Sequence, residues 1–151
     1  MNSDQINLVQ QSFEEVQPIA PVVAQLFYYR LFLLDPSLKP MFKGDMGNQG
    51  RMLMSMMGSA VKGLSDLDGL APVLRSLGAR HEGYGVREEH YVTVGTALLW
   101  SLNAGLGEKF TPEVREAWTV AYGLVADVMQ FGALEAQRIQ RHQSEEVAVA
   151  W

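Results

Sequence analysis

The chain has 151 residues, 48% of them hydrophobic, which is the size of one domain with enough apolar side chain for one core. Its formal net charge of −5 provides no basic surface for phosphate groups, so nucleic acids and anionic membranes are not expected partners. Cysteine is absent, which excludes disulfides, thiolate metal sites and cysteine nucleophiles, so a metal site would need other ligands such as histidine.

The start of the chain is polar and lacks the charged and then apolar segments of a signal peptide. No run reaches the roughly 20 apolar residues that a membrane span needs. We therefore expect a cytoplasmic protein that makes no use of a membrane. It should form a single domain over residues 1–151, with residues 141–151 as a tail.

The first two helices are predicted from apolar spacing and from proline. Ser3 and Asp4 are expected to cap a helix whose apolar residues recur three or four positions apart up to Val16. Two prolines then separate it from a second helix, Val22–Leu34, which ends before Pro36. A short helical turn is expected next.

The middle of the chain predicts a loop and two more helices. Residues 43–50 are mostly polar or glycine and indicate a loop, and helical spacing follows from Gln49 to Leu64. Ser65 and Asp66 are expected to cap the next helix, which glycines at 83 and 85 end. On one face this helix carries Leu70, Leu74, Leu77 and His81.

Two longer periodic segments complete the chain, Arg87–Leu106 and Pro112 to about Gln140, the second capped by Thr111. No alternating pattern suggests a strand. The sequence therefore predicts an all-α fold of six main helices joined by short turns.

His81 is the residue that points to chemistry, because its ring is placed on an apolar face. Burying a polar ring without a partner costs about 2 kcal/mol or more, and a ring nitrogen that binds a metal offsets much of that cost. A lone histidine in this position is more often a hydrogen-bonded core residue. The helix that begins at Gln49, with Phe42 before it, provides a second apolar wall, and a flat apolar cofactor could lie between the two helices.

Five segments of the sequence carry a family resemblance: LFYYRLF (26–32), DPSLKPMF (35–42), LGARH (77–81), HYVTVG (90–95), and AW with AYG (117–118 and 121–123). They resemble globins, and most of all the globin domains of flavohaemoglobins, bacterial single-domain globins and neuroglobins. The resemblance runs from about Gln5 to Met129 in the family's order. It implies the globin fold, with helices packed three-on-three around haem b, and O2, NO and CO as ligands.

The resemblance also implies how the cofactor is held. His81 corresponds to the proximal histidine that binds the haem iron. Phe42 corresponds to the aromatic residue that stacks on the porphyrin, and Leu53 to the apolar residue over the iron. Without the resemblance, Phe42 would be read as an ordinary core residue.

On the distal side, Tyr28 and Gln49 correspond to the tyrosine and glutamine that donate hydrogen bonds to a bound gas. Tyr29 is a rival to Tyr28, with its side chain about 100° away on a helix. Asn48 would take the place of Gln49 if the correspondence slipped by one residue. A core tyrosine and a solvated loop glutamine are the alternatives without a functional role.

Two departures from the family pattern stand out. Tyr91 corresponds to the tyrosine that orients the proximal histidine in flavohaemoglobins, but the glutamate that assists it falls on Ala133, and Glu135 lies two residues away. No histidine precedes residue 81, so the sixth iron position should be open or hold water, unless Tyr28 or a methionine such as Met52 or Met56 reaches it. His90 and His142 are expected at the surface without a role.

Three functions are compatible with this sequence. The first is a haem globin that binds O2 reversibly and converts NO to nitrate, with electrons from an external reductase, because the chain has no Gly-x-Gly-x-x-Gly phosphate loop. The second is oxygen storage, delivery or gas sensing without turnover, which the missing glutamate favours. The third is a haem-free interaction module.

Overall fold

The fold is all-α in a computed structural model that describes the backbone of residues 1–150 and the side chains of residues 1–142. Six helices make up most of the described chain: α1 (Ser3–Val16), α2 (Ala20–Leu34), α3 (Met46–Gly63), α4 (Leu67–Gly83), α5 (Glu88–Leu106) and α6 (Pro112–Ala150). Short 3-10 turns lie at Gln17–Ile19, Pro36–Met41 and Gly107–Lys109. Residues 1–150 contain no strand, as the sequence predicts.

The cap of α1 differs from the predicted one. Asn2, rather than Ser3 or Asp4, caps the helix: its side-chain oxygen accepts the backbone N–H of Gln5 at 2.8 Å. In return the side chain of Gln5 accepts the backbone N–H of Asn2 at 3.1 Å. This reciprocal capping box satisfies two of the free N–H groups at the helix start, which a single cap could not do.

The loop before α3 is shorter than the predicted loop over residues 43–50. Asp45 caps α3 by accepting the backbone N–H of Gly47 at 3.0 Å, so the helix begins at Met46. Gln49 therefore lies inside the helix, one turn after its start, and its backbone N–H bonds to the carbonyl of Asp45. A helical backbone fixes the direction of the Gln49 side chain far better than a loop would.

The last helix is longer than predicted. Thr111 caps α6 through its hydroxyl, which accepts the N–H of Val114 at 3.2 Å, as expected. The helix does not end near Gln140 but continues to Ala150, through most of the expected tail at 141–151. The packing of that tail from residue 143 onward lies outside the described side chains.

The hydrophobic core consists of two clusters. The large cluster is built from α1, α2, α3, α5 and α6 and includes Phe13, Phe27, Tyr28, Leu31 and Trp118. The small cluster joins α4 to α5 and α6 and consists of Leu70, Leu74, Leu77, Tyr91, Ala126 and Met129. Tyr122 packs against both. Since α4 packs mainly on α6 and makes few contacts with α3, the two clusters are separate where these helices pass each other.

A buried hydrogen bond connects the first and last helices. The indole N–H of Trp118 on α6 donates to the hydroxyl of Ser12 on α1 at 2.8 Å, and the hydroxyl in turn donates to the carbonyl of Leu8 at 2.6 Å. Both polar groups are therefore satisfied within the large cluster.

Among the described residues, no helix combines the length and the apolar composition that crossing a membrane requires.

Candidate functional site

His81 lies in the last turn of α4 and is half-buried. Its Nδ1 is 2.8 Å from the backbone carbonyl oxygen of Leu77, one turn earlier. Because a carbonyl oxygen can only accept, Nδ1 carries the hydrogen in this contact, and the neutral ring then has its lone pair on Nε2. This is the arrangement that a metal-binding histidine uses, with one nitrogen held by the protein and the other available.

Tyr28 is buried on α2, at 7% exposure, whereas Tyr29 is 63% exposed. Burial raises the pKa of Tyr28 above its usual range, and a side-chain hydrogen bond with Gln49 lowers it in part. The phenol therefore keeps its proton at neutral pH and can act as a hydrogen-bond donor. Of the two adjacent tyrosines, only Tyr28 has its hydroxyl in the interior with Gln49.

The interaction with Tyr28 also distinguishes Gln49 from its neighbour. Gln49 is half-buried and reaches the Tyr28 hydroxyl, while Asn48 is exposed and donates instead to the sulfur of Met52 at 3.8 Å. Tyr28 and Gln49 come from different helices, α2 and α3, and the structure brings the two side chains together.

Aromatic rings hold Tyr28 in place. The ring of Phe42 meets it edge-on with the centroids 5.4 Å apart, and the ring of Phe32 stacks on it at 6.0 Å. Phe32 and Phe42 in turn contact each other at 5.4 Å. Phe42 and Leu53 are only partly buried and pack against the large cluster, so each has apolar surface left to contact another group.

Tyr91 lies in the small cluster with its hydroxyl buried and without a hydrogen-bond partner. An unpaired buried hydroxyl is costly, which marks Tyr91 as a residue that can bond to a bound group. Its backbone carbonyl accepts the hydroxyl of Tyr122 at 2.5 Å. Glu135 is not its hydrogen-bond partner: Glu135 is exposed on α6, which continues as an unbroken helix through this region.

The other residues considered from the sequence lie away from this arrangement. Met52 and Met56 are exposed on α3. His142 is exposed, and His90 lies half-buried at the surface, where its Nδ1 accepts the backbone N–H of Arg87 at 2.9 Å and caps α5. Two groups of this arrangement were not predicted from the sequence, the ring of Phe32 and the carbonyl of Leu77. The spacing of four residues to His81 could have indicated the carbonyl.

Two surface cavities lie outside this group of residues. One of about 370 Å³ is bordered by Asp35, Ser37, Leu38, Met41, Gly85, Arg87, Glu89 and His90. A second of about 210 Å³ lies between α1 and the start of α6. None of the six predicted site residues lines either cavity.

The division of the core fits a flat apolar cofactor between α3 and α4. Tyr28, Phe42 and Leu53 belong to or pack against the large cluster, whereas Leu77 and Tyr91 belong to the small one. The small cluster lies on α4, α5 and α6 and not under a long loop, where the smaller clusters of a domain are usually found. A macrocycle between the two clusters would join them and cover the half-buried side chains of Phe42 and Leu53. It would also offer a polar group to the Tyr91 hydroxyl and a metal to His81.

Comparison with known proteins decides the family. The family model for globins matches residues 25–129. The chain belongs to the globin family. The resemblance drawn from the sequence and the all-α fold of six helices are both confirmed.

This globin is 33% identical over 154 residues to a flavohemoprotein of Rhizobium meliloti (strain 1021), an alignment that covers 95% of the chain and 37% of the relative. The chain spans 37–38% of the length of the flavohemoproteins from Rhizobium meliloti, Vibrio cholerae and Bacillus subtilis that it matches.

Solved structures agree on the fold. An engineered carbene transferase from Rhodothermus marinus, a candidate nitric oxide dioxygenase, superposes with a TM-score of 0.83 at 20% identity. A bacterial globin from Campylobacter jejuni superposes with a TM-score of 0.76 at 26% identity. Each comparison covers 93% of this chain and 99% of the other.

Proposed function

We propose that this globin binds haem b with His81 as the iron ligand and binds O2 and other diatomic gases reversibly. The observation that carries the proposal is the state of His81, whose Nδ1 is held by the Leu77 carbonyl at 2.8 Å while Nε2 remains available. Two further observations support haem binding: Gln49 and Leu53 on α3 are only partly buried, and the buried hydroxyl of Tyr91 has no hydrogen-bond partner.

Haem, when bound, supplies an iron atom that binds diatomic gases and changes oxidation state. The protein holds the imidazole of His81 in one tautomer and one orientation through the Leu77 carbonyl, which also increases the basicity of the ring. Phe42 and Leu53 provide apolar surface that excludes water from the cofactor.

Tyr28 and Gln49 are proposed to stabilise the bound gas. Bound O2 would carry partial negative charge, and the two side chains, as donors that are already in place, would stabilise that charge without reorganisation. The raised pKa of Tyr28 keeps its O–H available as such a donor. CO gains less charge, so the pair favours O2 over CO.

We further propose that this globin converts NO and O2 to nitrate. In that overall reaction both oxygen atoms of O2 would end in nitrate and bound haem would supply one electron, so each turnover would need one electron from a reductant. An external reductase is the proposed source of that electron. The similarity to flavohemoproteins supports this proposal.

A second candidate is oxygen storage, delivery or sensing without turnover. The unpaired hydroxyl of Tyr91 and the exposed position of Glu135 favour it. A tyrosine bonded to a carboxylate would increase the electron donation of the proximal histidine, and that carboxylate is not next to Tyr91.

Rapid mixing separates the two candidates. The reduced, oxygenated holoprotein is mixed with one equivalent of NO, nitrate is measured, and the oxidation state is followed by absorbance. One nitrate per haem with rapid oxidation supports the dioxygenase. An unchanged oxygenated spectrum rejects it and selects storage or sensing. Repeating the experiment with NADH and a flavin reductase shows whether nitrate formation turns over.

A further inference from the structure

Helices α4 and α6 approach each other so closely at two glycines that no other residue fits. A Cβ atom added at Gly78 would lie 1.8 Å from the backbone oxygen of Met129, and one added at Gly132 would lie 2.0 Å from the backbone oxygen of Arg75. Real Cβ atoms do not come this close to backbone atoms, so alanine at either position requires one helix to move.

The two contacts are reciprocal. Gly78 of α4 meets the backbone of α6, and Gly132 of α6 meets the backbone of α4. On each helix the two contact residues are three positions apart, Arg75 with Gly78 and Met129 with Gly132, so they share a face. Two backbone contacts one turn apart fix both the position of α4 along α6 and its rotation.

The same place on α4 also orients His81. The Leu77 carbonyl that accepts the hydrogen of His81 Nδ1 belongs to the peptide group that joins Leu77 to Gly78. Any displacement of α4 at Gly78 therefore displaces the hydrogen-bond acceptor of the imidazole. The peptide group thus couples the contact with α6 directly to the orientation of the ring.

We propose that Gly78 and Gly132 are positioning residues for His81, which set the reach and tilt of its imidazole by fixing α4 against the backbone of α6. The proposal rests on the proposed function of His81 as the haem ligand. Other glycines of the same helices have no such role: a Cβ atom at Gly83 of α4 or Gly123 of α6 would meet nothing within 4 Å.

The test measures the iron–histidine stretching band by resonance Raman spectroscopy in the reduced, ligand-free holoprotein. Gly78→Ala and Gly132→Ala are expected to shift or split the band. Gly83→Ala and Gly123→Ala are the matched controls and should leave it unchanged. Alanine is the better helix former inside a helix, so Gly123→Ala should also raise the melting temperature of the protein.

A merely structural role for the two glycines gives a different result. If Gly78→Ala and Gly132→Ala lower the melting temperature but keep the wild-type band, the positioning role is rejected. Met129→Ala is the additional variant in case either glycine variant fails to fold. It removes an apolar side chain where the two helices cross and leaves the backbone contact unchanged. The wild-type band is expected in Met129→Ala, and a shift would show that side-chain packing sets the position instead.

Failure of the proposed function would look different again. Wild-type protein that takes up haem without an iron–histidine band, or takes up none, rejects His81 as the ligand. If wild type shows the iron–histidine band and both glycine variants show the same band, only the positioning role of the glycines is rejected.

Discussion

Tyr28 and Tyr29 are adjacent in the chain, yet one hydroxyl lies in the interior beside Gln49 and the other in solvent. The difference arises because neighbouring side chains on a helix point about 100° apart. Sequence periodicity cannot choose between two tyrosines in a helix that is apolar on most of its faces. The choice of Tyr28 came from the family resemblance, and burial is the physical reason that the two residues differ.

Replacing Tyr28 by phenylalanine should accelerate O2 release. A hydrogen bond to a charged group contributes about 1.5–3 kcal/mol, so the O2 dissociation rate should rise about 10-fold to 100-fold. Laser photolysis and rapid mixing measure that rate, and Tyr29→Phe is the control because its hydroxyl is exposed. Equal rates in wild type and Tyr28→Phe would remove Tyr28 from the site.

Replacing Gln49 by leucine should raise the pKa of Tyr28 further. The side-chain hydrogen bond with Gln49 opposes the effect of burial, so its loss leaves burial unopposed. NMR of protein with labelled tyrosine follows the titration of each phenol. Asn48→Leu is the control, since Asn48 is exposed and contacts Met52. An unchanged or lower pKa in Gln49→Leu would show that the two side chains do not interact.

At the scale of the helices, the sequence predicted their number and order because apolar periodicity reflects which face is buried. The ends were less predictable. In the structure α3 begins at Met46 and not at the predicted Gln49, because Asp45 caps the helix. The glycine contacts between α4 and α6 were not predicted, since the point where two helices cross depends on the packing of the whole molecule.

Replacing Ser12 by alanine should weaken the attachment of α1 to α6. The indole N–H of Trp118 would lose its acceptor inside the large cluster, and a buried donor without a partner costs about 1–3 kcal/mol. Urea unfolding followed by tryptophan fluorescence measures the loss. Ser55→Ala, at an exposed position of α3, should have little effect. A stability equal to that of wild type would mean that the hydrogen bond contributes nothing net.

At the scale of the whole molecule, the two clusters explain why the site could be predicted only in part. The residues of the site come from α2, the turn before α3, α3, α4 and α5, and no single periodic pattern connects them. Only the resemblance related them to one cofactor. The structure adds the separation of the clusters and the unpaired Tyr91 hydroxyl, neither of which has a sequence pattern of its own, and it adds the Leu77 carbonyl.

Buried tyrosines should make the fold sensitive to alkali. Burial raises the pKa of Tyr28, Tyr91 and Tyr122 in the folded state above the ordinary value of 10.0. Above about pH 10 the unfolded chain releases these protons first, so the stabilisation is complete below that pH and is lost as the pH rises through the folded-state pKa values. Between its pKa in the unfolded chain and its pKa in the folded protein, each of these tyrosines lowers the free energy of unfolding by about 1.4 kcal/mol per pH unit.

Urea unfolding from about pH 9 to about pH 11 measures this loss. Tyr122→Phe should make the decline less steep, and Tyr29→Phe should leave it unchanged because Tyr29 is exposed. A free energy of unfolding that stays constant over this range would show that the phenols ionise as readily in the folded state as in the unfolded one.

The most direct test of the account replaces His81 by glycine and adds imidazole. Wild-type protein should bind haem and give the absorption spectrum of a histidine-ligated iron in the ferric, ferrous and CO-bound states. His81→Gly, with its helical content checked by circular dichroism, should lose that spectrum and regain it when free imidazole fills the gap, whereas His142→Ala should match wild type. A wild-type spectrum in His81→Gly without imidazole would contradict the account.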